Sequence, residues 1–130
     1  MIKYVHAKKH LGQHFLKNAG VIEKIVRRIE SLAPHKQIIE VGPGGGALTL
    51  KLLEEGFHVL VIELDQRWIA LLEQNCAQYL KEGRLRIVDG DATRISVSNV
   101  KSLLWNPAGP ALFCGNLPYN RGQEILLKYF

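Results

Sequence analysis

The chain has 130 residues, of which 47% are hydrophobic and 22% charged, which suits one globular domain and excludes a disordered chain. Its twelve glycines show no triplet period, so a fibrous chain is excluded too. Net charge is +5 but unevenly spread: residues 1–36 hold eight basic and two acidic side chains, whereas residues 37–130 hold nine and ten, so a near-neutral body follows a basic start that points to a polyanionic partner, most simply nucleic acid.

Residues 1–17 are polar, basic and without periodicity. His6, His10 and His14 recur every four residues, which on a helix would align three imidazoles. Gly12 and the surrounding lysines argue against a stable helix there, and no metal site is expected. Val21, Ile22, Ile25, Val26, Ile29 and Leu32 then recur at helical spacing, with Asn18 as N-cap and Pro34 as the stop. Residues 37–41 are a compact apolar run, read as a strand, that ends in the glycine loop 42–46. A helix over 48–55 is closed by Gly56, and residues 58–63 form a second strand. A longer amphipathic helix is predicted over 66–80, with Trp68, Ile69, Leu72, Cys76 and Tyr79 as its buried side. Gly83 leads into a third strand over 85–89. A short helix near 98–104 and a Trp-Asn-Pro-Ala-Gly-Pro turn precede a fourth strand over 111–115. A further helix is expected to begin at 123–130.

Strands alternating with helices across short loops imply right-handed crossovers and a parallel sheet covered on both faces, an α/β fold. The division expected is a basic segment and helix over 1–36, then a nucleotide-binding unit from 37 onward. The chain stops inside a helical pattern, without a cap or closing strand, and is expected to be the first part of a longer one. No stretch approaches the ~20 apolar residues of a membrane-spanning helix, and the first 25 residues lack the apolar centre of a signal peptide, so a cytoplasmic protein is expected. Cys76 and Cys114 lie in apolar surroundings without ligand spacing and read as packed thiols.

In an open parallel sheet, ligands sit beyond the carboxyl ends of the strands, and four features fall at successive strand ends. Gly42-Pro43-Gly44-Gly45-Gly46-Ala47 fits G-x-G-x-x-G/A between a strand and a helix, where missing β-carbons admit a ligand close to the backbone. Glu63 stands 21 residues beyond Gly42 at the end of the second strand, where an acid binds ribose hydroxyls. These two features imply an adenosine-containing cofactor. Glu40, two residues before the first glycine, brings a negative charge that suits a cationic ligand better than a pyrophosphate. Asp91, with Asp89 nearby, is placed to accept from an adenine amino group. Asn116-Leu117-Pro118-Tyr119 follows the fourth strand directly. It offers an amide oxygen and backbone carbonyls for an exocyclic amine, a proline that fixes the backbone, and a ring on which a base can stack, worth about 1–3 kcal/mol.

Together these residues resemble the adenine-N6 methyltransferases that use S-adenosylmethionine, and most closely the small-subunit rRNA adenine-N6,N6-dimethyltransferase family of the KsgA/RsmA type. The resemblance runs from Lys9 to Asn120. It is carried by Gly12-Gln13-His14-Phe15-Leu16, Glu40-Val41-Gly42-Pro43-Gly44, Ile62-Glu63-Leu64-Asp65, Gly90-Asp91-Ala92 and Gly115-Asn116-Leu117-Pro118-Tyr119-Asn120. It implies a Rossmann-like, S-adenosylmethionine-dependent methyltransferase fold, here ending after the fourth strand. In that pattern His14 and Leu16 hold the methionine end of the cofactor, Gly42 and Gly44 approach it through the backbone, Glu63 binds its ribose and Asp91 its adenine. Asn116 bridges cofactor and target amine, Leu117 and Pro118 offer carbonyls, and Tyr119 stacks on the target adenine.

The resemblance also implies dimethylation of loop adenosines in small-subunit rRNA during ribosome biogenesis. Lys3, Lys8, Lys9, Lys17, Arg27 and Arg28 would contact phosphates in a salt-dependent way. A target base must leave its stack to be methylated. Family chains are about twice this length, with further strands and a small helical domain. The edge of the fourth strand is therefore expected to be exposed here, or paired with another chain. After Asn120 the sequence departs from the family's aliphatic-Ser segment with Arg121-Gly122-Gln123. Alternative readings are a large-subunit rRNA adenine dimethylase of the macrolide-resistance type and an inactive RNA-binding fragment. A nicotinamide-dependent oxidoreductase would leave Asn116–Tyr119 without a role.

Overall fold

A computed structural model of the protein describes residues 2–6, 18–119 and 122–129. The first described element is strand β1, Ile2–His6, and helix α1 follows over Ala19–Leu32. Asn18 caps α1 as expected, its side-chain oxygen accepting from Val21 N at 3.1 Å. Strand β2 (Gln37–Val41), helix α2 (Ala47–Glu54), strand β3 (His58–Glu63) and strand β4 (Leu85–Asp89) lie within a residue of their predicted bounds. Between β3 and β4 the long predicted helix is two: α3 (Gln66–Asn75) and α4 (Ala77–Lys81). The break is Cys76, buried at φ −118° and ψ 25°, outside helical dihedrals. Ile69, Leu72 and Cys76 carry the buried stripe, and Trp68, expected beside them, is 38% exposed. Helix α5 (Val97–Ser102) and strands β5 (Leu112–Tyr119) and β6 (Gly122–Tyr129) complete the order.

The sheet runs β1-β6-β5-β2-β3-β4. Its centre, β4-β3-β2-β5, is parallel as predicted. The other two strands depart from expectation. Residues 122–129, predicted to begin a helix, form β6, which pairs antiparallel with β5 from Leu112↔Tyr129 to Tyr119↔Gly122. Residues 2–6, read as unpatterned, pair with β6 from Ile2↔Lys128 to His6↔Glu124. The edge expected to be open along 111–115 is thus closed within the chain, and the described sheet ends on β1 and β4 instead. That edge is therefore not free to pair with a second chain.

Alternation along the central strands builds two cores. Ile38, Val59, Val61 and Cys114 face α1, α2 and α3 in one cluster, while Ile39, Leu60 and Ile62 face Val100 and Leu104 in the other. Both faces of the parallel centre are therefore covered. Cys76 and Cys114 are both buried free thiols. No helix among the described residues is long and apolar enough to cross a membrane.

Candidate functional site

The chain runs outward from β2 through β3 to β4, then returns to the far side of β2 as β5. Such a reversal opens a crevice beyond the carboxyl ends of the two strands that flank it. The β2–β5 pairing ends at Val41↔Gly115, which sets Gly42 and Asn116 side by side. A β-carbon on Gly42 would lie 3.2 Å from the backbone oxygen of Asn116. With φ at +70° and a paired strand opposite, that position requires glycine. Gly42 of the glycine turn therefore lies against Asn116, while Leu117–Tyr119, expected to follow the end of the strand at 115, continue it as part of β5.

The rest of the loop is fixed from below and open in front. Gly46 N donates to Pro43 O at 3.0 Å, and a β-carbon on Gly46, at φ +86°, would lie 2.6 Å from Cδ2 of Leu72 on α3. The loop can settle onto α3 only because that atom is missing. At Gly44 a β-carbon would meet nothing within 4 Å, the space a bound group needs. Helix α2 starts at Ala47 without a side-chain cap, leaving its first amides available to an anionic group.

Glu63 closes β3 beside this loop. Its Oε2 accepts from Leu64 N at 2.8 Å and Asp65 N at 3.0 Å, which holds the carboxylate still and leaves Oε1 without a partner among the described residues. Gly90 N donates to Glu63 O at 3.0 Å, so the turn carrying Asp91 adjoins Glu63. The Oδ1 of Asp91 accepts from Thr93 N at 2.9 Å and Thr93 Oγ1 at 2.7 Å. Those bonds, the hydroxyl first, lower its pKa and keep it an ionised acceptor. Asp89 accepts instead from Gln66 Nε2 at 2.6 Å, a contact that ties strand end to helix. From Asp91 to Asn116 the ends of four adjacent strands span three steps of about 4.8 Å, roughly 14 Å of continuous rim.

Two acceptors lie deeper. The Oδ1 of Asn116 is buried with no hydrogen-bond donor among the described residues, an anomaly for a folded chain unless a ligand supplies one. Glu40, expected to bring a negative charge beside the loop, is enclosed by the fold. It is 1% exposed, and burial, with a lesser contribution from Glu63, pushes its pKa up to about 7 against the opposing bond from Thr49. The Oγ1 of Thr49 on α2 donates to Glu40 Oε1 at 2.5 Å. Sequence reasoning missed Thr49. The available signal was one hydroxyl inside an apolar helical run, nine residues beyond an acid.

The basic residues divide. Arg27 is bound by Glu23, Glu30 and Glu55, which removes it from the candidates for phosphate contact. Arg28 remains exposed on the same helix. Lys8, Lys9 and Lys17 fall outside the described residues, as do His14 and Leu16, and the side chain of Lys3 is likewise not described. Leu117, Pro118 and Tyr119 are placed through their backbone, as the end of β5.

The family model described as ribosomal RNA adenine dimethylase matches residues 5–130. Ribosomal RNA small subunit methyltransferase A of Caulobacter vibrioides is 39% identical over 123 residues, covering 95% of this chain and 44% of that protein. Its namesake in Mesorhizobium japonicum is 40% identical over 126 residues, covering 96% and 44%. The chain thus spans less than half the length of these curated relatives. Among solved structures, a dimethyladenosine transferase from Plasmodium falciparum overlays with a TM-score of 0.52 at 19% identity, covering 90% of this chain and 63% of that one. An RNA methyltransferase from Salinibacter ruber, in complex with S-adenosyl-L-homocysteine, overlays at 0.52 and 14% identity, covering 82% and 90%. Both share the fold.

Proposed function

We infer the function from one premise: the chain belongs to the ribosomal RNA adenine dimethylase family, whose model matches residues 5–130. The reading it supports is transfer of methyl groups from S-adenosylmethionine to the exocyclic amines of loop adenosines in small-subunit rRNA. The small subunit is favoured over the large because the relatives cited above are small-subunit methyltransferases by name. The observation that carries the reading is the approach of Gly42 to Asn116, which supports a shared site for the cofactor and the target amine.

The residues present fit the cofactor. Glu63 offers a carboxylate oxygen to ribose hydroxyls, Asp91 an ionised acceptor to the adenine amine, and the space at Gly44 room for the backbone-facing part. His14 and Leu16 would enclose the methionine end. The cofactor supplies an electrophilic methyl on a positively charged sulfur. The protein's part is orientation. The buried Oδ1 of Asn116, without a donor among the described residues, accepts one amine hydrogen, and the backbone carbonyl of Leu117 or Pro118 accepts the other. The nitrogen lone pair then aims away from the purine ring, while Tyr119 stacks on the base. Alignment of this kind can contribute ~7–11 kcal/mol to a barrier, and acceptors aimed at the developing positive charge add to it. No general base is required, since the amine proton can pass to water after transfer. Residues 37–130 would carry this chemistry, and the basic segment 1–36 would bind phosphates, without Arg27.

One observation favours a second reading, an inactive RNA-binding chain: β6 pairs with β5 across Leu117↔Glu124 and Pro118↔Gln123, the residues whose carbonyls the chemistry uses. The same assay decides between them. Labelled S-adenosylmethionine and immature small subunits are expected to yield labelled rRNA with the wild-type sequence and none with Asn116→Ala. Unlabelled rRNA from a folded wild-type protein would favour the binding role.

A further inference from the structure

One buried acid has no task in this scheme. Glu40 is 1% exposed at the centre of the sheet, in register with Val61 of β3 and Cys114 of β5. A buried carboxylate ordinarily has a cationic partner, and none of the ion pairs among the described residues involves Glu40. The groups that face it are the Thr49 hydroxyl from α2, the Cys114 thiol from β5, the Cys76 thiol between α3 and α4, and the Glu63 carboxylate from β3. One is a neutral donor, two are thiols whose ionisation Glu40 opposes, and one is a like charge. None offsets a negative charge.

Its position gives this anomaly a use. Glu40 lies two residues before Gly42, and Thr49 lies three after Gly46. Their 2.5 Å hydrogen bond therefore ties the strand stem of the glycine loop to its helix stem. Across Gly42, the Asn116 Oδ1 is a second buried acceptor, one without a donor among the described residues. Among the described residues the loop is thus bracketed by acceptors with no cationic side chain beside them, and a cationic, donor-bearing ligand would offset both.

We propose that Glu40 is a positioning residue, its carboxyl protonated part of the time in the empty crevice and surrendering that proton to solvent when a cationic ligand settles over the glycine loop, while Thr49 holds the resulting carboxylate in place. This rests on the cofactor reading given above. The only bond broken is the carboxyl O–H. The proton passes to the buffer, the ligand's positive charge replaces it electrostatically, and no electrons move.

Calorimetric titration with S-adenosylmethionine at pH 7, in two buffers of different protonation enthalpy, reads the proton count directly. A measurable fraction of a proton is expected to leave per ligand bound, because burial raises the Glu40 carboxyl toward neutral pH. In Glu40→Gln, which keeps an acceptor for the Thr49 hydroxyl, that release is expected to vanish and cofactor affinity to fall. Thermal unfolding without ligand gives a second readout: the wild-type midpoint is expected to drop between pH 5 and pH 8 by more than that of Glu40→Gln. Thr49→Ser should preserve the release. Equal proton release in wild type and Glu40→Gln, with binding intact, would overturn the proposal and leave the cofactor reading standing. No binding by either folded protein would overturn both.

Discussion

Gly46 shows how a single missing atom holds the site together. Its φ of +86° and the 2.6 Å from its absent β-carbon to Leu72, which is fully buried, predict that Gly46→Ala destabilises the protein by about 1–3 kcal/mol, the cost of forcing a group into a packed core. A urea titration checks this, with an unchanged midpoint contradicting the packing argument. Glu63 should matter to binding more than to folding. Glu63→Ala removes charge-assisted hydrogen bonds worth roughly 1.5–3 kcal/mol, so affinity for S-adenosylmethionine is expected to fall about 10–100-fold.

Titration separates two other residues by sign. Burial raises Glu40 to about 7 from 4.5. Its contribution to stability is therefore complete below the unfolded value and is lost as pH rises through 7. Glu40→Gln should match wild type at pH 4 and exceed it at pH 8, by roughly 3 kcal/mol. His35 is lowered by burial, with Nε2 unpartnered among the described residues and Nδ1 accepting from Gln37 N. Its contribution is present above about pH 6.5 and declines as pH falls below that value. Both the acid of the glycine motif and its spacing to Glu63 could be read from the sequence. The burial of Glu40 could not, because strand periodicity does not tell an acid facing a helix from one facing solvent.

At the scale of elements, legibility followed how local the determinants are. Helix α1 carries its own start signal in Asn18 and its own apolar stripe, and both were read correctly. Asn18→Ala should cost about 1 kcal/mol, measurable by thermal unfolding, and an unaltered midpoint would mean the cap adds nothing. The bounds of β2, β3 and β4 were legible because each is a short apolar run ended by a glycine or an acid. The segment 122–129 was not. Its Ile125, Leu126 and Leu127 are consecutive and fit a helix face or a two-sided strand equally well. Its state as β6 comes from pairing with β5 on one side and β1 on the other, a non-local choice that no window of sequence contains. The long helix was misjudged for a similar reason. Its periodicity continues through Cys76 while its dihedrals do not. The charges of α1 illustrate the limit of composition: Arg27 reads as a phosphate ligand until Glu23, Glu30 and Glu55 are seen around it.

For the whole molecule, topology converts separated motifs into a site. Asp91, Glu63, Gly42 and Asn116 span 75 positions of sequence, yet the order β4-β3-β2-β5 sets their strand ends next to one another. The motifs and their placement at strand ends were legible from sequence, while the contact between Gly42 and Asn116 required the return of β5 to the side of β2. The proposed site stands on that contact. It is tested most directly by following backbone amide resonances of the isotope-labelled protein as S-adenosyl-L-homocysteine is added. Gly42, Gly44, Glu63, Asp91 and Asn116 are expected to shift together along one binding curve. If the glycine loop moved while Asn116 stayed in place, the two halves of the crevice would not serve one ligand, and the account would be contradicted.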